Sequence, residues 1–240
     1  MWRSVICAAA LVLGGCSEIF PSDRLRQRIT VEVETPLGLR SGSSVVETKV
    51  QEGKSWGDAS GTSFTLEGEA VGVDLPEGRT LFALLRGDSD TQGDQAGYQT
   101  RLLYDALNAG AKVNVPVPVE GLDLIQARAA AKRADASLTL PEKLYPMLVT
   151  FGDITNPKSV ERVNPADLAE LFGPGVRLRR VSVEVTNDAV TTGIEKRFSW
   201  WSSFRDHHFD GTSTVSEDMI SRDLAAHMSS GSFSTEFNKP

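Results

Sequence analysis

The sequence predicts an α+β fold: one domain, mainly antiparallel β-sheet, with a few short helices. Three observations carry this. Ile29, Val31 and Val33 alternate with Thr30, Glu32 and Glu34, the period of a strand buried on one face. Val181, Val183 and Val185 alternate in the same way with Ser182, Glu184 and Thr186. Between such runs the connections are short and carry turn residues such as Pro36-Leu37-Gly38, which suits hairpins and not the long crossovers of a parallel sheet.

Ahead of the first strand stands a short basic start, Met1 to Ser4, then an unbroken apolar run from Val5 to Leu13, then Gly14-Gly15-Cys16. The apolar run is about nine residues, too short for the roughly 20 that span a bilayer as a helix. Basic start, short apolar run and small residues before a cysteine resemble a bacterial lipoprotein signal, whose lipobox reads Leu-x-Gly/Ala-Cys. The resemblance implies cleavage between Gly15 and Cys16, a signal peptide over residues 1–15, and a lipid on Cys16. It places the chain in the cell envelope, lipid-anchored and facing the periplasm. Ser17 stands where aspartate favours the inner membrane in enteric bacteria, so the outer membrane is favoured. Residues 16–27 read as a lipidated polar tether.

Composition sets further bounds. The formal charge is −7, and loss of Arg3 with the signal makes the mature chain more acidic still. Such a chain gains little from phosphate backbones, so nucleic acid is not an expected partner. Cys7 leaves with the signal and Cys16 is alkylated, so the mature domain has neither thiol nor disulfide and relies on its core.

Residues 28–211 read as the globular domain. Arg28 to Thr35 and Ser43 to Val50 form a hairpin with a loop longer than two residues. Gly38-Leu39-Arg40-Ser41-Gly42 lacks the spacing of a serine-hydrolase elbow, and strand follows on both sides. Ser63 to Val73 is a strand broken by glycines, Pro76-Glu77-Gly78 a turn, and Thr80 to Leu85 a short apolar strand. In the loop after it, Asp88, Asp90, Gln92, Gly93 and Asp94 fall at positions 1, 3, 5, 6 and 7 of a calcium-loop register. Asp88, Asp90 and Asp94 are the candidate metal ligands and calcium the one candidate cofactor. Gln99 stands where the register wants a bidentate glutamate.

Tyr98 to Leu107 has helical spacing. Prolines 116 and 118 make Val113 to Val119 an edge strand or extended connector. Asp123 to Ser137 is alanine-rich and reads as a helix or as a solvated insertion, and its Arg128, Lys132 and Arg133 form a small basic face, read as solvated. Leu144 to Phe151 reads as a buried strand. A helix is expected from Asn164 as N-cap and Pro165 at its first position, burying Leu168, Leu171 and Phe172, and ending at Gly173-Pro174-Gly175. Val176 to Thr186 follows as a long strand with a slip at Arg179-Arg180 that suggests a bulge.

The run from Leu144 to Arg197, LVTFGDITNPKSVERVNPADLAELFGPGVRLRRVSVEVTNDAVTTGIEKR from Leu148 on, resembles a family of uncharacterised proteobacterial lipoproteins, and the hairpin RITVEVETPLGLRSGSSVVE fits the same family. The resemblance implies a common domain and a membrane-anchored setting, with no activity, cofactor or catalytic residue attached.

Phe198 to Phe204 packs aromatics densely, and Trp200, Trp201 and Phe204 are candidates for an exposed partner-binding platform, with a core or lid as the commoner fate of such clusters. Asp206-His207-His208, with Asp210, resembles the motif of the DHH phosphoesterases but lacks the upstream aspartate motifs of that family. Residues 212–240 read as a C-terminal extension, docked or mobile, with a short helix over Met219 to Met228. The expected function is a non-catalytic, membrane-anchored envelope lipoprotein that binds another protein or supports an assembly. A small-ligand or calcium module, and a hydrolase centred on residues 206–210, are the alternatives.

Overall fold

The computed structural model describes residues 22–53, 61–88, 94–117, 119–213 and 223–236. The signal residues, Gly15 and Cys16 lie outside the described residues, as does Asp90.

The strands are β1 (Ser22–Thr35), β2 (Gly38–Gln51), β3 (Ser63–Glu67), β4 (Val71–Asp74) and β5 (Thr80–Gly87). Helix α1 (Gln95–Asn108), strand β6 (Lys112–Val113) and helix α2 (Leu124–Arg133) come next. The remaining elements are β7 (Ser137–Thr139), β8 (Pro146–Phe151), β9 (Val160–Arg162), α3 (Ala169–Phe172) and β10 (Arg177–Val185). They make two antiparallel sheets, a six-stranded one ordered β3-β2-β1-β10-β7-β6 and a four-stranded one ordered β4-β5-β8-β9. The expected α+β class, mostly antiparallel β, is what the chain adopts.

The four-stranded sheet is the middle layer. Leu81, Ala83, Leu85 and Leu148 point into a first core shared with β1, β10, α1 and α2. Phe82, Leu84, Met147, Val149 and Phe151 point the other way into a second, aromatic core. Both faces are buried, which is why β5 and β8 read as continuous apolar runs without alternation. The six-stranded sheet gives its inner face to the first core through Leu25, Ile29, Val31, Val33, Val181 and Val183. Its outer face carries the alternate, polar residues.

Several expectations need correction. β1 starts at Ser22, so residues 22–27 of the expected tether are sheet, paired with the far end of β2. The hairpin loop is tight: Thr35 faces Gly38, and only Pro36 and Leu37 lie between. The Thr35 hydroxyl accepts the Leu37 N–H at 3.2 Å and donates to the Gly38 carbonyl at 2.8 Å, while Gly38 takes φ 105°, open to glycine alone at low cost. The Asn164 helix shrinks to one turn. The Asn164 side chain accepts the Ala166 N–H and its carbonyl the Asp167 N–H, so the chain makes a β-turn there and the helix starts only at Ala169. The bulge at Arg179 is present: Glu32 faces Arg180 and Val33 faces Leu178, leaving Arg179 unopposed.

The C-terminal extension is docked over its described part. Met228 and Phe233 are fully buried in the second core. The Phe233 carbonyl accepts the Ala70 N–H at 2.7 Å, and Gly68 and Thr235 exchange backbone and hydroxyl bonds. The helix expected over Met219 to Met228 is a single 3₁₀ turn, Leu224–His227, within the described residues.

Candidate functional site

The outer face of the six-stranded sheet is laid out by register. Thr30 faces Ser182, Ser182 faces Thr139, and Thr139 faces Lys112, a row across four neighbouring strands. Glu184 faces Arg28 on one side and Ser137 on the other. The row residues other than Lys112 are short, whereas Glu32, Arg180, Glu184 and Lys112 around them are long. The difference in length leaves a shallow polar groove of about 330 Å³ on this face. Asn114 fixes one wall, accepting the Ser137 N–H at 2.7 Å and donating to the Asp135 carbonyl at 3.2 Å.

Charges along this face are mostly paired. Arg28 holds Glu184 at 2.8 Å and also bonds Asp188. Glu32 takes Arg180 at 2.6 Å and Arg179 at 3.6 Å, because the bulge turns two consecutive arginines onto one carboxylate. Glu47 takes Arg24 at 3.0 Å and Arg26 at 2.8 Å. Lys112 makes no ion pair among the described residues, and the hydroxyls of Thr30, Ser137, Thr139 and Ser182 bond no described protein group. A smaller recess of about 260 Å³ lies beside Phe151 and Asp153. Asp153 is already committed to its own turn, where the Thr155 hydroxyl and N–H hold it below the usual carboxylate range.

The residues singled out in the sequence are dispersed. Asp88 binds Arg162, with Nε 3.0 Å from Oδ1. Asp94 caps α1, accepting the Gly97 N–H at 2.8 Å; a Cβ at Gly97 would sit 2.0 Å from the Asp94 carboxylate, so the glycine permits the cap. Gln99, the twelfth position of the calcium register, is inside α1 and fully buried, bonded to Gln27 and to the Leu85 carbonyl. Gln99 thus stands within a helix that begins four residues earlier, with its side chain turned into the protein. Among the described residues no three His, Cys, Asp or Glu side chains gather as metal ligands.

Trp200 and Trp201 lie in the second core and not on a platform, with Phe204 half-buried at its edge. Phe198 stacks on Trp201 at 5.5 Å, Trp200 meets Phe209 edge-on at 5.0 Å, and the Trp200 indole N–H donates to the Ile154 carbonyl. The exposed side of the middle sheet needed an apolar cover, and this cluster supplies it. His207 and His208 sit on separate single bridges, to Ser213 and to Ser229. Asp210 closes a turn with Thr212; desolvation is the largest single effect and raises its carboxyl, but the Thr212 hydroxyl and N–H together with the charges of His208 and Lys158 hold it below its ordinary range.

Sequence reasoning missed a buried polar layer beneath the helices. Arg128, expected on a solvated face, is fully buried. Its Nε donates to Asp23 at 2.7 Å, Nη1 to the Thr48 hydroxyl and the Thr100 carbonyl, and Nη2 to the Thr48 carbonyl. Lys132 completes the site on the other Asp23 oxygen at 2.8 Å. Burial alone would raise the Asp23 carboxyl, but the hydrogen bonds and charges of Lys132 and Arg128 prevail and hold it below its ordinary range. Two signals for this layer are in the sequence. Asp23 and Gln27 share parity with Ile29, and Arg128 stands among Ala127, Ala130 and Ala131, whose small side chains leave room for a guanidinium.

Comparison with protein-family models, with curated proteins and with solved structures returned no match.

Proposed function

We propose that this chain is a lipid-anchored, non-catalytic binding domain of the bacterial cell envelope, held by Cys16, facing the periplasm, and engaging a partner through the open face of its six-stranded sheet. The observation that carries the binding face is the groove over Thr30, Ser182 and Thr139, where polar groups have no protein partner among the described residues and three of the four lining charges, Glu32, Arg180 and Glu184, are in ion pairs. The lipobox and the resemblance to proteobacterial lipoproteins support the anchor, and Ser17 favours the outer membrane.

The test is co-purification from gently solubilised membranes, comparing the native chain with Cys16→Ser and with Ser182→Arg, which fills the groove. A specific partner recovered with the native chain, and depleted in both variants, is the expected result. Identical recovery with all three, or no partner with any, overturns the proposal.

A further inference from the structure

We infer that the groove is a site for a small acidic polyol, a sugar acid or the acidic end of a glycan chain, with its carboxylate on Lys112 and its hydroxyls on the floor. This deepens the binding role proposed above and rests on it.

Charge decides the acid. Four charged side chains line the groove: Glu32, Glu184, Arg180 and Lys112. Glu184 is taken by Arg28, and Glu32 by Arg180. The charge left over is the ammonium of Lys112, which is exposed and has no anionic partner among the described residues. A ligand with one negative charge complements it.

The floor decides the polyol. Thr30, Ser182 and Thr139 stand in register on adjacent strands with Ser137 beside them, all half-buried. Each hydroxyl both donates and accepts, so the row matches groups with the same double capacity, namely other hydroxyls. The Glu184 carboxylate at the rim adds acceptors, whereas Glu32 is nine-tenths buried and held by its arginines. Strands lie about 4.8 Å apart, so the row from Thr30 to Lys112 spans roughly 14 Å, the reach of one or two sugar rings. Among the described residues no aromatic side chain lines the groove, so recognition falls to hydrogen bonds and one ion pair, and binding is weak.

The experiment titrates the full chain, purified in detergent, and follows its amide chemical shifts. The probes are glucuronate, glucose, acetate and an oligosaccharide ending in glucuronate. Saturable shifts at Lys112, Thr139, Ser182 and Thr30 with glucuronate are expected, at least about tenfold tighter than with glucose or acetate. Lys112→Met should abolish that margin over glucose, and Lys158→Met, on a distant loop, should leave it intact. Tighter binding of the oligosaccharide supports a chain end as the natural ligand, and tighter binding of the monosaccharide supports a free sugar acid. Glucose or acetate binding as well as glucuronate, no saturable shift with any probe, or an unchanged titration in Lys112→Met overturns the inference. Partner depletion by Ser182→Arg is read separately, so the ligand class can fail while the binding face stands.

Discussion

Replacing Arg128 with methionine tests the buried layer under the helices most directly. The change keeps an unbranched apolar stem and removes the guanidinium. Asp23, itself 9 % exposed, loses its buried partner and keeps only Lys132. The Thr48 and Thr100 carbonyls lose their donors in a place where water does not reach. Breaking one side of a buried ion pair costs about 3–5 kcal/mol, much of it the penalty for the charge left behind. With a urea slope of about 2 kcal/mol/M, the unfolding midpoint should fall by roughly 2 M. Adding Asp23→Leu to Arg128→Met removes the stranded charge, so the double variant should recover about 2 kcal/mol against the sum of the singles. The native margin should also shrink in acid. Asp23 is depressed when folded, so its contribution is complete above its ordinary 3.8 and is lost as pH falls through the lower folded value. A midpoint for Arg128→Met within about 0.3 M of native, or singles that simply add, would refute the reasoning, since an energetically coupled pair must show a change of at least about 0.6 kcal/mol at that slope.

Three further outcomes follow from the geometry. A Cβ at Gly42 would sit 2.0 Å from the Gly72 carbonyl, where the two sheets touch, so Gly42→Ala should cost about 1–3 kcal/mol or more in thermal unfolding. Phe233 is fully buried against Phe82, Phe151, Phe198 and Phe209, and Phe233→Ala should lose about 3–5 kcal/mol in urea titration, which makes the C-terminal segment part of the domain's stability. Burial raises the Glu69 carboxyl above its ordinary 4.5 despite the Ile194 N–H bonded to it, with Glu195 and Glu236 adding to the rise. The folded state therefore holds that proton more tightly than the unfolded chain, and stability from this group increases as pH falls from neutral through the raised value. Glu69→Gln keeps an oxygen for Ile194 and should flatten the dependence of melting temperature on pH between neutral and the ordinary carboxylate range.

What was legible in the sequence was whatever announced itself by apolar period or by turn chemistry. The valines of β10, the slip that becomes the Arg179 bulge, and the break between β3 and β4 at Gly68 were all readable. The start of β1 is not legible, because Asp23 and Gln27 interrupt the apolar alternation. They face inward all the same, since Arg128 in α2 donates to Asp23 and Gln99 in α1 accepts the Gln27 side-chain N–H, and those partners lie far along the chain. Arg128 is hidden from sequence reading for the complementary reason: a charge on a helix is normally solvated, and only the long-range carboxylate reverses that. The aromatic run resisted a decision because core and platform use the same residues. The groove was invisible in the sequence, since its row is assembled from four strands that are neighbours only in the sheet.

The route by which the chain enters the fold has a mechanical consequence. Residue 22 leads into β1, which has β2 on one flank and β10 on the other, both antiparallel to it. A pull on the N-terminal segment along the strand axis therefore loads the two ladders in shear, with many hydrogen bonds sharing the tension at once. Peeling, which would break them singly, needs a force across the sheet. Asp23, at the start of β1, is gripped from α2 on both carboxylate oxygens, so the first residues to feel tension are cross-braced to another part of the chain. A domain hung from that end would give way abruptly and late, as one unit, and would stay folded under drag that unzips a strand at a sheet's edge.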